Sequence, residues 1–183
     1  MRCGADVAPI RAEPRDDAEQ LTQALGREPL RVEERRDGWA RVVTAYDHTG
    51  WIRERALEEG EGELPVIIVG QPLAVARSYL HAPYQWGGMT NRGIDCSGLV
   101  HMSYRLSGKL IPRDSWQLEE AGSPVDEEDV SPGDLVTYGD ERADHIAFWL
   151  GDGRILHSAG GRGVVAEPEP ELLRARRRRF IRF

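Results

Sequence analysis

The pattern of apolar and turn residues predicts an α+β protein, with a small all-β unit followed by a larger unit of helices packed on an antiparallel sheet. Three observations carry that expectation. Residues 1–58 hold short apolar or alternating runs separated by turn residues, as in a small β-barrel. Residues 59–71 form a connector rich in Glu and Gly, with Pro65 inside it. From residue 72 to 183 helical spacing comes first and alternating bulky segments come last.

In the first unit the strands are read at Val7–Ile10, Leu30–Glu33, Trp39–Val43 after Asp37-Gly38, and Gly50–Ile52. Within the connector, Val66–Val69 reads as an extended run laid against one of the units. Leu73, Ala76, Arg77 and Leu80 are spaced as a helix behind Pro72, which suits a first turn. A second helix, capped by Asp95 or Ser97, is read from Leu99, Val100, Met102, Tyr104 and Leu106, with Cys96 in its first turn, and it stops at Gly108. A short helix is expected from Ser115, and Ser131-Pro132-Gly133 turns into a strand. His145–Leu150 and Arg154–Ser158 read as a hairpin, and the arginine-rich Arg174–Phe183 as a closing strand.

The net charge of −7 excludes a global basic field, so nucleic acid and anionic membrane are not expected partners. Two cysteines, Cys3 and Cys96, make neither a disulfide framework nor a zinc site, and no metal or other cofactor is expected. The first residues lack an export-signal core, and no stretch approaches ~20 apolar residues. The expectation is a cytoplasmic protein, or a secreted one if a signal has been removed.

The chemistry centres on Asp95-Cys96-Ser97-Gly98. With Asp95 or Ser97 as cap, a thiol on the first helical turn faces unpaired N–H groups and the positive end of the macrodipole. Both favour the thiolate, although a free cysteine is also often just a small buried hydrophobe. Nucleophilic catalysis needs a base within reach and a third group to orient it. Of the five histidines, His145 and His157 flank one hairpin. A three-residue loop, Gly151-Asp152-Gly153, with a glycine bulge sets Ala147 opposite His157 and puts both imidazoles on one face. A thiolate–imidazolium pair is then expected to hold the thiol at ~3.5–7.5.

Residues 72–183 resemble the NlpC/P60 family of cell-wall cysteine peptidases, which are papain-like in core fold. The motifs are Pro83–Gly88, Asp95–Val100, Arg113-Asp114-Ser115, Pro132–Leu135, and His145-Ile146-Ala147 with His157. Residues 1–58 resemble a bacterial SH3 domain through Arg11–Pro14, Gly26, Asp37–Val42 and Gly50–Ile52, with His48 where an aromatic is usual. In this order the two resemble γ-D-glutamyl-L-diamino acid endopeptidases.

The resemblance implies Cys96 as nucleophile, His145 as base and His157 as the residue orienting it. The Cys96 N–H and the Tyr84 hydroxyl become the oxyanion donors. It also implies a substrate with a free N-terminal L-Ala, its ammonium held by Asp95 and Ser115 with Ser97 and Asp114 beside them. Trp86 would form the wall, and Glu13, Tyr46 and His48 would contribute from the first unit. The expected partner is a free peptidoglycan stem-peptide fragment in wall-peptide recycling. The alternatives are a non-catalytic wall-binding module, or an amidase or acyltransferase using the same Cys/His core on another substrate.

Overall fold

The structure is a computed structural model that describes residues 1–64 and 70–183. It divides into two compact units, Met1–Val66 and Ile67–Phe183. The extended run expected at Val66–Val69 lies outside the described residues.

The first unit contains a five-stranded antiparallel sheet of β1 (Val7–Arg11), β2 (Gln20–Leu25), β3 (Leu30–Arg36), β4 (Trp39–Thr44) and β5 (Thr49–Arg53), in the order β2-β1-β5-β4-β3. Ala8, Ile10, Ala24, Leu30, Ala40, Val42 and Ile52 form its core. Strand β2 is an addition to the sequence reading. It buries Thr22 and Gln23, so apolar alternation does not announce it and pairing with β1 specifies it. Asp37 and Gly38 both take positive φ, as a two-residue hairpin turn with matching twist requires.

The second unit begins with α1 (Pro72–Ser78), α2 (Cys96–Leu106) and α3 (Ser115–Ala121). Its antiparallel sheet comprises β6 (Ser123–Val125), β7 (Leu135–Tyr138), β8 (His145–Gly151), β9 (Arg154–Ala159), β10 (Gly163–Pro168) and β11 (Arg177–Arg182). The order is β6-β11-β7-β8-β9-β10. The two edge strands, β6 and β10, were not foreseen. Each carries a proline, which argues against a strand by sequence yet is tolerated at a sheet edge.

Val136, Tyr138, Ala147, Trp149, Ile155 and Phe180 pack together on the sheet, while Phe148, of opposite parity in β8, stacks on Tyr104 of α2 at 6.3 Å between centroids. The arginines expected to close the chain as a strand do so, and their charges are met locally. Arg176 pairs with Asp140 and Asp144, Arg177 with Glu127 and Glu169, Arg178 with Glu119, and Arg182 with Asp134. Among the described residues no helix is long and apolar enough to cross a membrane.

The β8–β9 hairpin corrects one expectation. Its turn is the two-residue Asp152-Gly153, both at positive φ, with Gly151 paired to Arg154. A separate bulge between Trp149 and Gly151 absorbs one residue, so Phe148 pairs with Leu156. Continued by one step, that register sets Ala147 opposite His157. The extra residue sits in the strand rather than in the loop, and the histidines still share a face.

Candidate active site

Cys96 is the first residue of α2, and Asp95 is its N-cap, accepting from the Gly98 N–H at 2.6 Å. The other carboxylate oxygen accepts from the Gly87 N–H at 2.7 Å and from Arg113 Nη2 at 2.8 Å. Arg113 is 1 % exposed; its Nη1 donates to Ser97 Oγ at 2.7 Å. A Cβ at Gly98 would run into the Gly88 carbonyl oxygen and lie 2.8 Å from Asp95 Oδ1. Glycine is therefore required if the helix tip is to sit against the Gly87-Gly88 loop.

Asp95 thus holds the helix tip while its charge is paired with the buried Arg113 guanidinium. Ser97 is taken up in the same lock, and Asp114 caps α3, its N–H donating to Gln117 Oε1 at 3.2 Å.

The thiol sits 3.9 Å from Ser115 Oγ, at the start of α3, and against the backbone of Ile146, next to His145. Burial pushes it up to about 11, and the Asp95 charge acts in the same direction. The direction is opposite to the expected depression: desolvation by burial outweighs the Ile146 backbone, the Ser115 hydroxyl and Arg113, which act the other way. Burial likewise pushes His145 down to about 3, with His157 and Arg176 adding to the effect. Burial thus disfavours the charged forms of both the thiol and the imidazole. They are not hydrogen-bonded to each other among the described residues, a looseness common in unliganded sites that tighten around substrate.

The two imidazoles do meet. His145 Nε2 lies 2.8 Å from His157 Nδ1, with the rings nearly perpendicular at 5.0 Å between centroids. Tyr138 lies 5.8 Å from the His145 ring. His157 Nε2 lies 2.9 Å from Glu167 Oε1, and both Glu167 oxygens accept from Arg162 at 2.7 Å. The guanidinium first, and then His157, hold the Glu167 carboxyl down at about 2. A carboxylate can only accept, so His157 carries its proton on Nε2 and accepts at Nδ1 from His145 Nε2–H. The remaining His145 nitrogen, Nδ1, is then the basic one. Sequence reasoning missed both Glu167 and Arg162, because the strand that presents Glu167 ends in Pro168.

Tyr84 pairs with Ile94, and burial raises its hydroxyl to about 12, so it remains a donor. Trp86 is 59 % exposed. In the first unit, Glu13 is exposed and pairs with Arg15, the Tyr46 hydroxyl lies 3.2 Å from Thr22 Oγ1, and the His48 ring lies 6.3 Å from the Tyr46 ring. His101 is fully buried on α2, its Nδ1 2.9 Å from the Ile111 carbonyl oxygen, and burial pushes it down to about 3.

A cysteine at a helix tip beside the end of a strand, and an oriented histidine pair on an antiparallel sheet, define a papain-like cysteine peptidase. The chain belongs to the NlpC/P60 family, whose model matches residues 81–176; the bacterial dipeptidyl-peptidase Sh3 domain matches residues 10–57. A γ-D-glutamyl-L-lysine dipeptidyl-peptidase of Bacillus cereus is 30% identical over 124 residues, which cover 64% of this chain and 37% of that protein. The peptidoglycan endopeptidase RipB of Mycobacterium tuberculosis is 35% identical over 103 residues, covering 49% of this chain and 43% of RipB. The chain therefore spans less than half the length of these relatives. Among solved structures, an NlpC/P60 family protein from Bacillus cereus aligns over 100% of this chain and 62% of its own, with TM-score 0.60 and 24% identity. RipB from Mycobacterium tuberculosis aligns over 61% of this chain and 64% of its own, with TM-score 0.54 and 30% identity.

Proposed function

We propose that this peptidase hydrolyses the bond between γ-D-glutamate and the following diamino acid in peptidoglycan stem peptides that carry a free N-terminal L-Ala. The hydrogen-bonded His145–His157 pair beside the helix-tip Cys96 supports the chemistry. The substrate class rests on the activities for which the relatives are named and on the dipeptidyl-peptidase Sh3 match.

In the reaction, His145 Nδ1 takes the thiol proton as sulfur attacks the γ-carbonyl carbon. The oxyanion accepts from the Cys96 N–H, which has no partner within the helix at that position, and from the Tyr84 hydroxyl. Collapse breaks the C–N bond, and the proton on His145 passes to the leaving amine. Water then gives a proton to His145 and attacks the thioester, releasing L-Ala-γ-D-Glu and restoring the thiol. Trp86 and Ser115 line the substrate.

Mass spectrometry of digests of L-Ala-γ-D-Glu-L-Lys and its diaminopimelate counterpart tests this reading. The expected product is the dipeptide, and Cys96→Ala is expected to cut the rate by at least ~10³-fold. An N-acetylated tripeptide is expected to react at least ~100-fold more slowly, because an acyl group removes the free ammonium that the proposed substrate class carries. Equal rates on free and acetylated peptides would overturn the free-amine requirement.

A further inference from the structure

The histidine pair does not end at His157. Glu167 Oε1 is 2.9 Å from His157 Nε2. Glu167 stands on β10, two residues beyond Val165, which pairs with His157, so it is the diagonal same-face neighbour across the β9–β10 ladder. Arg162, in the turn that leads into β10, grips both of its oxygens at 2.7 Å.

We propose that Glu167 is a positioning residue of the peptidase, fixing the tautomers of both histidines, and that Arg162 sets how much of its negative charge they feel. The proposal rests on Cys96 and His145 being nucleophile and base. With Glu167 present, the chain reads carboxylate, His157 Nε2–H, His157 Nδ1, His145 Nε2–H, leaving the lone pair of His145 Nδ1 for the thiol. A glutamine at position 167 can instead donate to His157 Nε2. That reverses both tautomers and puts a proton on the His145 nitrogen that must accept one.

The ionisable groups around this relay are Cys96 on α2 with Asp95, Arg113 and Tyr84 beside it, Tyr138 on β7, Glu167 and Arg162, and Arg176 with its partners Asp140 and Asp144. Changing only Glu167 or only Arg162 leaves the others in place. Loss of the carboxylate makes the site more positive and lowers the pH at which its first functional proton leaves. Loss of the guanidinium does the opposite. Either sign holds whether that proton is on His145 or on sulfur.

The test compares the wild type with Glu167→Gln and Arg162→Met on the full chain. One readout is the rate of Cys96 alkylation by iodoacetamide against pH, followed on the Cys96 peptide by mass spectrometry. The second is the histidine tautomers by long-range ¹⁵N–¹H NMR, and the third is dipeptide release. The acid limb is expected to move down in Glu167→Gln and up in Arg162→Met, each by roughly 0.5–1 unit. In the wild type both histidines are expected as Nε2–H, with an Nδ1–H form gaining population in Glu167→Gln. kcat in Glu167→Gln is expected to fall roughly 10- to 100-fold with KM little changed, the scale of groups that orient a functional histidine. Unmoved limbs in both variants with unchanged tautomers would overturn the proposal. Opposite limb shifts in a protein that cuts no stem peptide would uphold the relay and remove the substrate assignment instead. Arg162 is exposed, so its variant keeps the test valid if Glu167→Gln folds poorly.

Discussion

The site is bounded by two arginine–carboxylate pairs that are alike in chemistry and unlike in setting. At the cysteine end, the Arg113 and Asp95 side chains are 1% and 9% exposed and tie a glycine loop, a helix tip and Ser97 together. At the histidine end, Arg162 and Glu167 are 53% and 21% exposed and touch one functional group, His157. Burial decides what each pair can do. A buried ion left alone is costly, so the first pair holds structure and cannot be adjusted. Water screens the second, so its worth lies in the field it casts on the histidines and little in stability.

The sharpest way to break this comparison is Arg113→Met, which strands the Asp95 carboxylate in the interior. It is expected to cost about 3–5 kcal/mol in urea unfolding and to abolish activity along with the fold of the helix tip. A near-neutral result would place both pairs in the same class.

Acid tests the same point on the histidines. His101 and His145 are both held at about 3 by burial, far below the ~6.5 of an unfolded chain. Between those limits the unfolded chain binds more protons, so stability falls as pH falls through the window from about 6.5 to 3. With two such groups the loss is expected to be about 2–3 kcal/mol between pH 6 and 5, by denaturant unfolding at each pH. His101→Gln should remove about half of that slope while leaving the catalytic pair in place.

Gly98→Ala probes the packing that the buried pair secures. The added methyl meets the Gly88 carbonyl oxygen and Asp95 Oδ1. The expected cost is about 1–3 kcal/mol, with slower alkylation of Cys96 as the helix tip shifts. Arg162→Met is the smallest effect on stability: its melting temperature is expected to stay within experimental scatter of the wild type. A clear destabilisation there would show the open pair to be structural as well.

Much of the catalytic unit was legible because its signals are local. Proline at the start of α1, Asp95 ahead of Cys96 and glycine past the end of α2 each act within a few residues. The hairpin's loop was misread while its outcome stood, since a bulge and a longer turn shift the register equally. Strands β2, β6 and β10 escaped notice for a different reason: buried polar residues or prolines mask them, and only their partners define them.

Taken alone, the order of residues determined that a cysteine would stand on a capped helix start and that two histidines would flank one turn, because capping and strand alternation are short-range geometry. The folded chain decided the rest. It brought Arg113 back 18 residues to Asp95, set Glu167 diagonally across a ladder from His157, and buried the sulfur deeply enough to reverse its expected acidity. Charge balance and desolvation depend on every atom that displaces water around a group, and those atoms come from segments far apart in sequence.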